Sequence, residues 1–148
     1  MAYTKLAYHI VYGTKRREKL ITPELALRLY KYTGGIISKL KGIPVEINGM
    51  QEHIHILTYI PPTIALSDFL RIIKSSSSKW INEVLEYQYN FQWASKYGAF
   101  TVGETQIEIV RRYIQNQQQH HTKVSWEDEF KQLLKEHGIE CDERYLWD

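Results

Sequence analysis

Two short segments carry side chains suited to phosphodiester chemistry. In Glu52-His53-Ile54-His55-Ile56 the histidines stand two apart. On a strand that spacing puts both imidazoles on one face, where they can share a metal ion, while Ile54 and Ile56 point into the core and hold the pair rigid. Such pairs also arise by chance, and ordinary strand histidines would explain this one taken alone. The second segment is Tyr113-Ile114-Gln115-Asn116-Gln117. Residues four apart on a helix share a face within about 6 Å, so a phenol and an amide oxygen would look into the same site. Attack by tyrosine on a phosphodiester gives a phosphotyrosine that preserves the bond energy for later rejoining, with no need for ATP. A metal held by His53, His55 and the Gln117 carbonyl would polarise the scissile phosphate. Taken alone, Tyr113 fits equally well as a tyrosine packed against a sheet.

The third ligand stays open on spacing. At about 100° per residue, His120 lies some 20° from the Tyr113 direction and Gln117 about 40°. Three histidines would favour zinc or another borderline metal, whereas two histidines and an amide oxygen leave positions for water and phosphate and accept Mg²⁺ or Mn²⁺, with manganese the better match to imidazole. Of the arginines flanking the tyrosine, Arg112 is angularly closer than Arg111 and is the candidate for a phosphate contact. Glu104, Glu108 and the acidic run Glu127 to Glu129 sit where they complement helix dipoles. No nucleotide-binding glycine loop and no Gly-x-Ser-x-Gly is present.

These residues need elements to position them. Leu6 to Tyr12 alternates as a first strand, ending in the basic cluster Lys15, Arg16, Arg17 and Lys19. Thr22-Pro23 opens a helix with Leu25, Leu29, Tyr32, Ile36 and Leu40 on one side, weakened at Gly34 and Gly35 and closed by Gly42 and Pro44. Val45 to Ile60 forms two strands around a turn within Asn48 to Glu52. A second helix runs from near Ser67 to about Leu85. Inside it, Arg71, Lys74, Ser75, Ser78 and Lys79 either pack closely or present hydroxyls and cations to DNA. Phe91 to Val102 is the last strand; one continuous helix then spans about Glu104 to His121, and a short one Trp126 to His137. The order β-α-β-β-α-β predicts an α+β, ferredoxin-like antiparallel sheet with additional C-terminal helices, one sheet face left open.

The 148 residues suit a single domain, 1–148. Apolar residues make up 43% of the chain, yet no run approaches the roughly 20 needed to cross a bilayer. The lone Cys141 and the absence of a secretory signal fit a cytoplasmic protein. A net charge of +2 conceals a division. Residues 1–123 carry 16 Lys or Arg against 9 Asp or Glu, and residues 124–148 carry 3 against 8. A basic body with an acidic tail suits either a phosphate backbone or a plain solvated surface.

Glu52-His53-Ile54-His55, the Tyr113-x-x-x-Gln117 helix, Trp93 to Val102 and the closing Cys141 to Trp147 together resemble the single-tyrosine HUH transposases of the IS-two-hundred type, often called TnpA. The likeness spans nearly the whole chain. It implies His53, His55 and Gln117 as ligands of Mg²⁺ or Mn²⁺, favouring Gln117 over His120. It further implies Tyr113 as a nucleophile that becomes joined to a DNA 5′ phosphate and frees a 3′ hydroxyl, a homodimer in which one subunit's tyrosine helix can complete the other's site, and a single-stranded DNA hairpin as substrate. Glu52 stands where the family often has Asp. Two alternatives accompany this reading: a host-adopted relative that processes repeated hairpins, and a ferredoxin-like nucleic-acid-binding module without catalysis.

Overall fold

The computed structural model describes residues 2–85 and 90–148. Four strands, β1 (Ala7–Gly13), β2 (Ile43–Gly49), β3 (His53–Tyr59) and β4 (Gly98–Val102), pair antiparallel in the order β2-β3-β1-β4. Helix α1 (Pro23–Lys39) connects β1 to β2, and α2 (Leu66–Lys79) leads from β3 towards β4, continuing as a π-helical turn over Trp80–Val84. This is the ferredoxin-like arrangement expected from the sequence. The helices α3 (Ile107–Gln115), α4 (Gln117–His120) and α5 (Trp126–Glu136) follow.

Local chemistry sets these boundaries. The Thr22 hydroxyl accepts from the Leu25 N–H at 3.2 Å with Pro23 in the first turn, which caps α1. The helix runs unbroken through Gly34 and Gly35 because its apolar side is buried, and burial outweighs their low propensity. It stops at Lys41, whose φ of 69° is left-handed.

One sheet face packs Ile10, Tyr12, Ile54 and Ile56 against Ile36 and Ile37 of α1 and Phe69, Leu70 and Ile73 of α2. On the other, Val11 and Phe100 meet Trp126, Phe130, Leu133 and Leu134 of α5. The expected open face is therefore closed. The apolar side of α5 folds back onto it, and β3 is buried from His53 through Thr58.

Two further expectations need correction. The last strand spans only Gly98–Val102, not Phe91 to Val102. The Asn82 side chain takes both the C=O and the N–H of Phe91 at 2.8 Å each, and Phe91 and Trp93 pack towards α1 and the end of α2, so this stretch cannot alternate on the sheet. The helix foreseen from Glu104 to His121 is interrupted: a 3₁₀ turn covers Glu104–Gln106, and α3 breaks from α4 at Asn116. Asn48 of β2 donates to the Ile114 carbonyl at 2.9 Å and accepts from Gln118 Nε2 at 2.9 Å, holding this junction against the sheet.

Candidate active site and metal centre

His53 and His55 project from β3 onto the sheet face that α5 covers, and both are fully buried. The His53 ring stacks on Trp126, with centroids 4.1 Å apart and planes 3° from parallel. Gly13, opposite His53 on β1, makes room for that indole, since a Cβ there would lie 3.0 Å from Trp126 Nε1. Glu52 accepts from His53 Nδ1 at 2.6 Å, and Nδ1 of His55 meets His9 Nε2 at 2.8 Å.

The centre of the site is a carboxylate. Glu129 of α5, 3% exposed, places Oε1 at 3.2 Å from His53 Nε2, 3.1 Å from His55 Nε2 and 2.9 Å from His121 Nε2. Its other oxygen accepts from Gln117 Nε2 at 3.0 Å and from the Tyr113 hydroxyl. Gln117 is buried, with Oε1 at 3.2 Å from His53 Nε2 and 2.9 Å from His121 Nε2. The two sequence motifs thus meet in space within one chain. The ligand atoms of His53, His55, His121 and Glu129 all lie within 4.8 Å of one another, and two atoms each about 2.1 Å from one ion stand roughly 3 to 4 Å apart, so the cluster is of a size that could hold a metal ion.

Charges in the cluster perturb one another. Burial lowers the His55 pKa to about 4 despite the neighbouring Glu129. Burial also opposes charge on His53, but hydrogen bonds to Glu129 and Glu52 outweigh it and raise the pKa. Glu129 is partly desolvated, yet the surrounding histidines hold its carboxyl far below the ordinary range. Tyr113 is pushed well up, by burial first and then by its hydrogen bond to Glu129, so in this state the phenol keeps its proton.

Sequence reasoning placed Glu129 among dipole-complementing acids and overlooked His121. Glu129 does lie in the first turn of α5, but its side chain turns inward among the imidazoles. The straight-helix projection favoured His120 as competitor, whereas the break at Asn116 brings His121 inward. His120 stands at the edge, 3.4 Å from Glu129 Oε2, with its ring centroid 5.4 Å from that of Tyr113. The available signal was an acid three residues after Trp126 and beside Phe130, in register with the apolar side of its own helix.

Comparison with known proteins settles the family. The model of the family described as "Transposase IS200 like" matches residues 2–117. The chain belongs to the IS200-like transposases. It is 31% identical over 119 residues to the transposase of insertion sequence element IS200 from Salmonella typhimurium, covering 74% of this chain and 75% of that protein. It is 26% identical over 120 residues to the ISDra2 transposase TnpA of Deinococcus radiodurans, covering 76% and 84%. Two solved structures share the fold. A crystal structure described as a candidate transposase from Deinococcus radiodurans superposes with a TM-score of 0.62 at 24% identity, covering 78% of this chain and 93% of that one. A REP-associated tyrosine transposase bound to a REP hairpin superposes with a TM-score of 0.60 at 16% identity, covering 84% and 73%.

In this IS200-like transposase the basic residues singled out earlier divide between two settings. Lys15, Arg71, Lys74, Ser75 and Ser78 line one cleft of about 570 Å³ beside Trp93 and Tyr97. The Ser75 and Ser78 hydroxyls cap carbonyls of their own helix, and Lys74 Nζ donates to the Ala94 carbonyl at 2.6 Å. Arg16, Arg17, Lys19 and Lys79 are not in that cleft. The Arg17 guanidinium lies 4.6 Å above the Trp147 ring and pairs with Glu127 at 3.6 Å. Arg112 is exposed, pairs with Glu108 at 3.6 Å and lines neither this cleft nor the cavity beside Tyr113. That second cavity, about 500 Å³, is bounded by His9, Tyr113, His120 and Glu129 and by apolar side chains that include Val102, Ile109 and Leu133. Among the described residues, no helix is long and apolar enough to cross a membrane.

Proposed function

We propose that this transposase cuts and rejoins single-stranded DNA, with Tyr113 as nucleophile and His53 and His55 holding a divalent ion, Mg²⁺ or Mn²⁺, to which Gln117 adds an amide oxygen. The observation that carries this reading is the meeting of the Tyr113 hydroxyl and the two imidazoles on one carboxylate, Glu129. An ion held by His53, His55 and Gln117 would polarise the scissile phosphate and would offset charge gathering on its oxygens. The Tyr113 oxygen bonds to phosphorus as the bond from phosphorus to the 3′ oxygen breaks, leaving a 5′ phosphotyrosine and a 3′ hydroxyl. Glu129 Oε2, held as an anion by the surrounding histidines, accepts from the phenol and orients it. The phenolic proton passes to solvent through the cavity beside Tyr113, and the 3′ oxygen draws a proton from solvent. Rejoining reverses these transfers with a different 3′ hydroxyl.

The cavity flanking Tyr113 gives a displaced nucleotide access to the nucleophile, and the Lys15, Arg71 and Lys74 cleft suits the phosphates of a hairpin. The solved relative bound to a REP hairpin supports a structured hairpin as substrate. It equally favours the second reading, a host-adopted protein that processes repeated hairpins with the same chemistry. The assembly we propose is a homodimer, as in the family the sequence resembles, acting in the cytoplasm as one domain.

The test is incubation with labelled hairpin-bearing single-stranded DNA and Mn²⁺ or Mg²⁺. A denaturant-stable protein-DNA adduct is expected, absent in Tyr113→Phe and in His53→Ala. An adduct that persists in Tyr113→Phe would overturn the assignment of the nucleophile.

A further inference from the structure

The two motifs supply His53, His55 and Gln117, but the cluster holds two more ligating side chains, and their hydrogen bonds show which way their lone pairs point. His53 Nδ1 faces the Glu52 carboxylate at 2.6 Å, and His121 Nδ1 faces the Val124 carbonyl at 2.7 Å. Both partners are acceptors only, so both Nδ1 atoms carry the proton. In the neutral rings each Nε2 is then a bare lone pair. Those lone pairs are directed at oxygens: His53 Nε2 lies 3.2 Å from both Glu129 Oε1 and Gln117 Oε1, and His121 Nε2 lies 2.9 Å from both. Acceptors converging on acceptors at these distances call for positive charge between them, which ring protons supply in the metal-free fold and a bound cation can replace. A ring N–H held by a carboxylate or a backbone carbonyl, with the opposite nitrogen turned inward, is also how metal-binding histidines are oriented.

We infer that Glu129 and His121 are ligands of the ion, so that the site is a cluster of three imidazoles and one carboxylate in which Glu129 is the dominant oxygen and Gln117 a weaker neutral one. The inference rests on the metal-dependent reading above and changes what the site selects. A carboxylate brings a full negative charge to a divalent ion, and an amide oxygen only a dipole. Three imidazoles suit Mn²⁺, Co²⁺ or Zn²⁺, whereas Mg²⁺ prefers oxygen. Glu129 also receives the Tyr113 hydroxyl on its second oxygen, so a single side chain spaces the nucleophile from the ion.

The experiment uses the full chain, stripped with chelator and titrated with Co²⁺ by visible absorption and with Mn²⁺ and Mg²⁺ by calorimetry. Glu129→Gln, which keeps the side-chain volume, and His121→Ala are each expected to weaken Mn²⁺ and Co²⁺ binding at least tenfold, and Gln117→Ala less than threefold. Wild type is expected to bind Mn²⁺ at least tenfold more tightly than Mg²⁺. Thermal melts of the metal-free variants separate misfolding from ligand loss: Glu129→Gln should melt no more than a few degrees below wild type. Wild-type affinity in Glu129→Gln and His121→Ala, with the loss confined to Gln117→Ala, would overturn the inference and leave the two-histidine reading standing. Failure of that underlying reading looks different, because neither wild type nor His53→Ala would then take up any ion.

Discussion

The imidazole of His55 sits between two demands. In the function proposed above its Nε2 stays free to bind an ion, and burial serves this by bringing its pKa down to about 4 against an ordinary 6.5. Linkage gives this a measurable sign. Between pH 6.5 and about 4 the unfolded chain takes a proton on this residue that the metal-free fold refuses, so its contribution to stability falls as pH falls, by about 3 kcal/mol across the window. His53, raised by Glu129 and Glu52 against burial, works in the opposite sense: its contribution is complete below pH 6.5 and is lost as pH rises through its folded value. Urea midpoints measured from pH 4 to 7.5 should therefore fall more steeply towards acid in His53→Asn than in wild type, and less steeply in His55→Asn. Tyr113→Phe should leave metal affinity within about threefold of wild type while eliminating the covalent adduct, because the phenol contributes no ligand atom to the cluster.

The turn between β2 and β3 and the break between α3 and α4 set the site's geometry. A Cβ on Gly49 would run into the His53 carbonyl oxygen and lie 2.9 Å from the Ile54 Cα, both backbone, so the strand carrying the histidines would have to move. Gly49→Ala is expected to cost about 2 kcal/mol or more in chemical denaturation and to weaken Mn²⁺ binding as well. Asn48→Ala removes the bonds that hold the junction at Asn116, and it should reduce Mn²⁺ affinity several-fold with little change in melting temperature. Periodicity made the strands, α1 and α5 legible, since each buries one apolar face. It did not reveal the break, because the carbonyl of Ile114 is claimed by a side chain 66 residues earlier and nothing local to the helix announces this. For the same reason Gln117 could be named from spacing but His121 could not.

Across the molecule, a core on one sheet face and the histidine–glutamate cluster on the other share the same strand. Phe69→Ala empties a fully buried position between α2 and the sheet and should cost about 3 to 5 kcal/mol, seen as a drop of roughly 10 °C in melting temperature. DNA binding should report the Lys15, Arg71 and Lys74 cleft through salt. Each phosphate contact removed lowers the slope of log affinity against log salt by about 0.7 for single strands, and Lys15→Ala or Arg71→Ala should each produce a change of that size. The surplus of cations in residues 1–123 suited either a phosphate backbone or a plain solvated surface, and the grouping of Lys15, Arg71 and Lys74 into one cleft depends on the turn after β1, α2 and the segment after Asn90 coming together.

The stretch that matches the family model closes at residue 117, while the acid at the heart of the cluster, one of its imidazoles and the indole stacked on His53 all come later. With Glu129 and His121 as ligands, relatives that keep both hallmark motifs unchanged are expected to diverge in which ion they favour, according to what their own closing helix contributes. Sorting such proteins by the residue that fills the place of Glu129 should separate manganese users from magnesium users where the motifs alone would not.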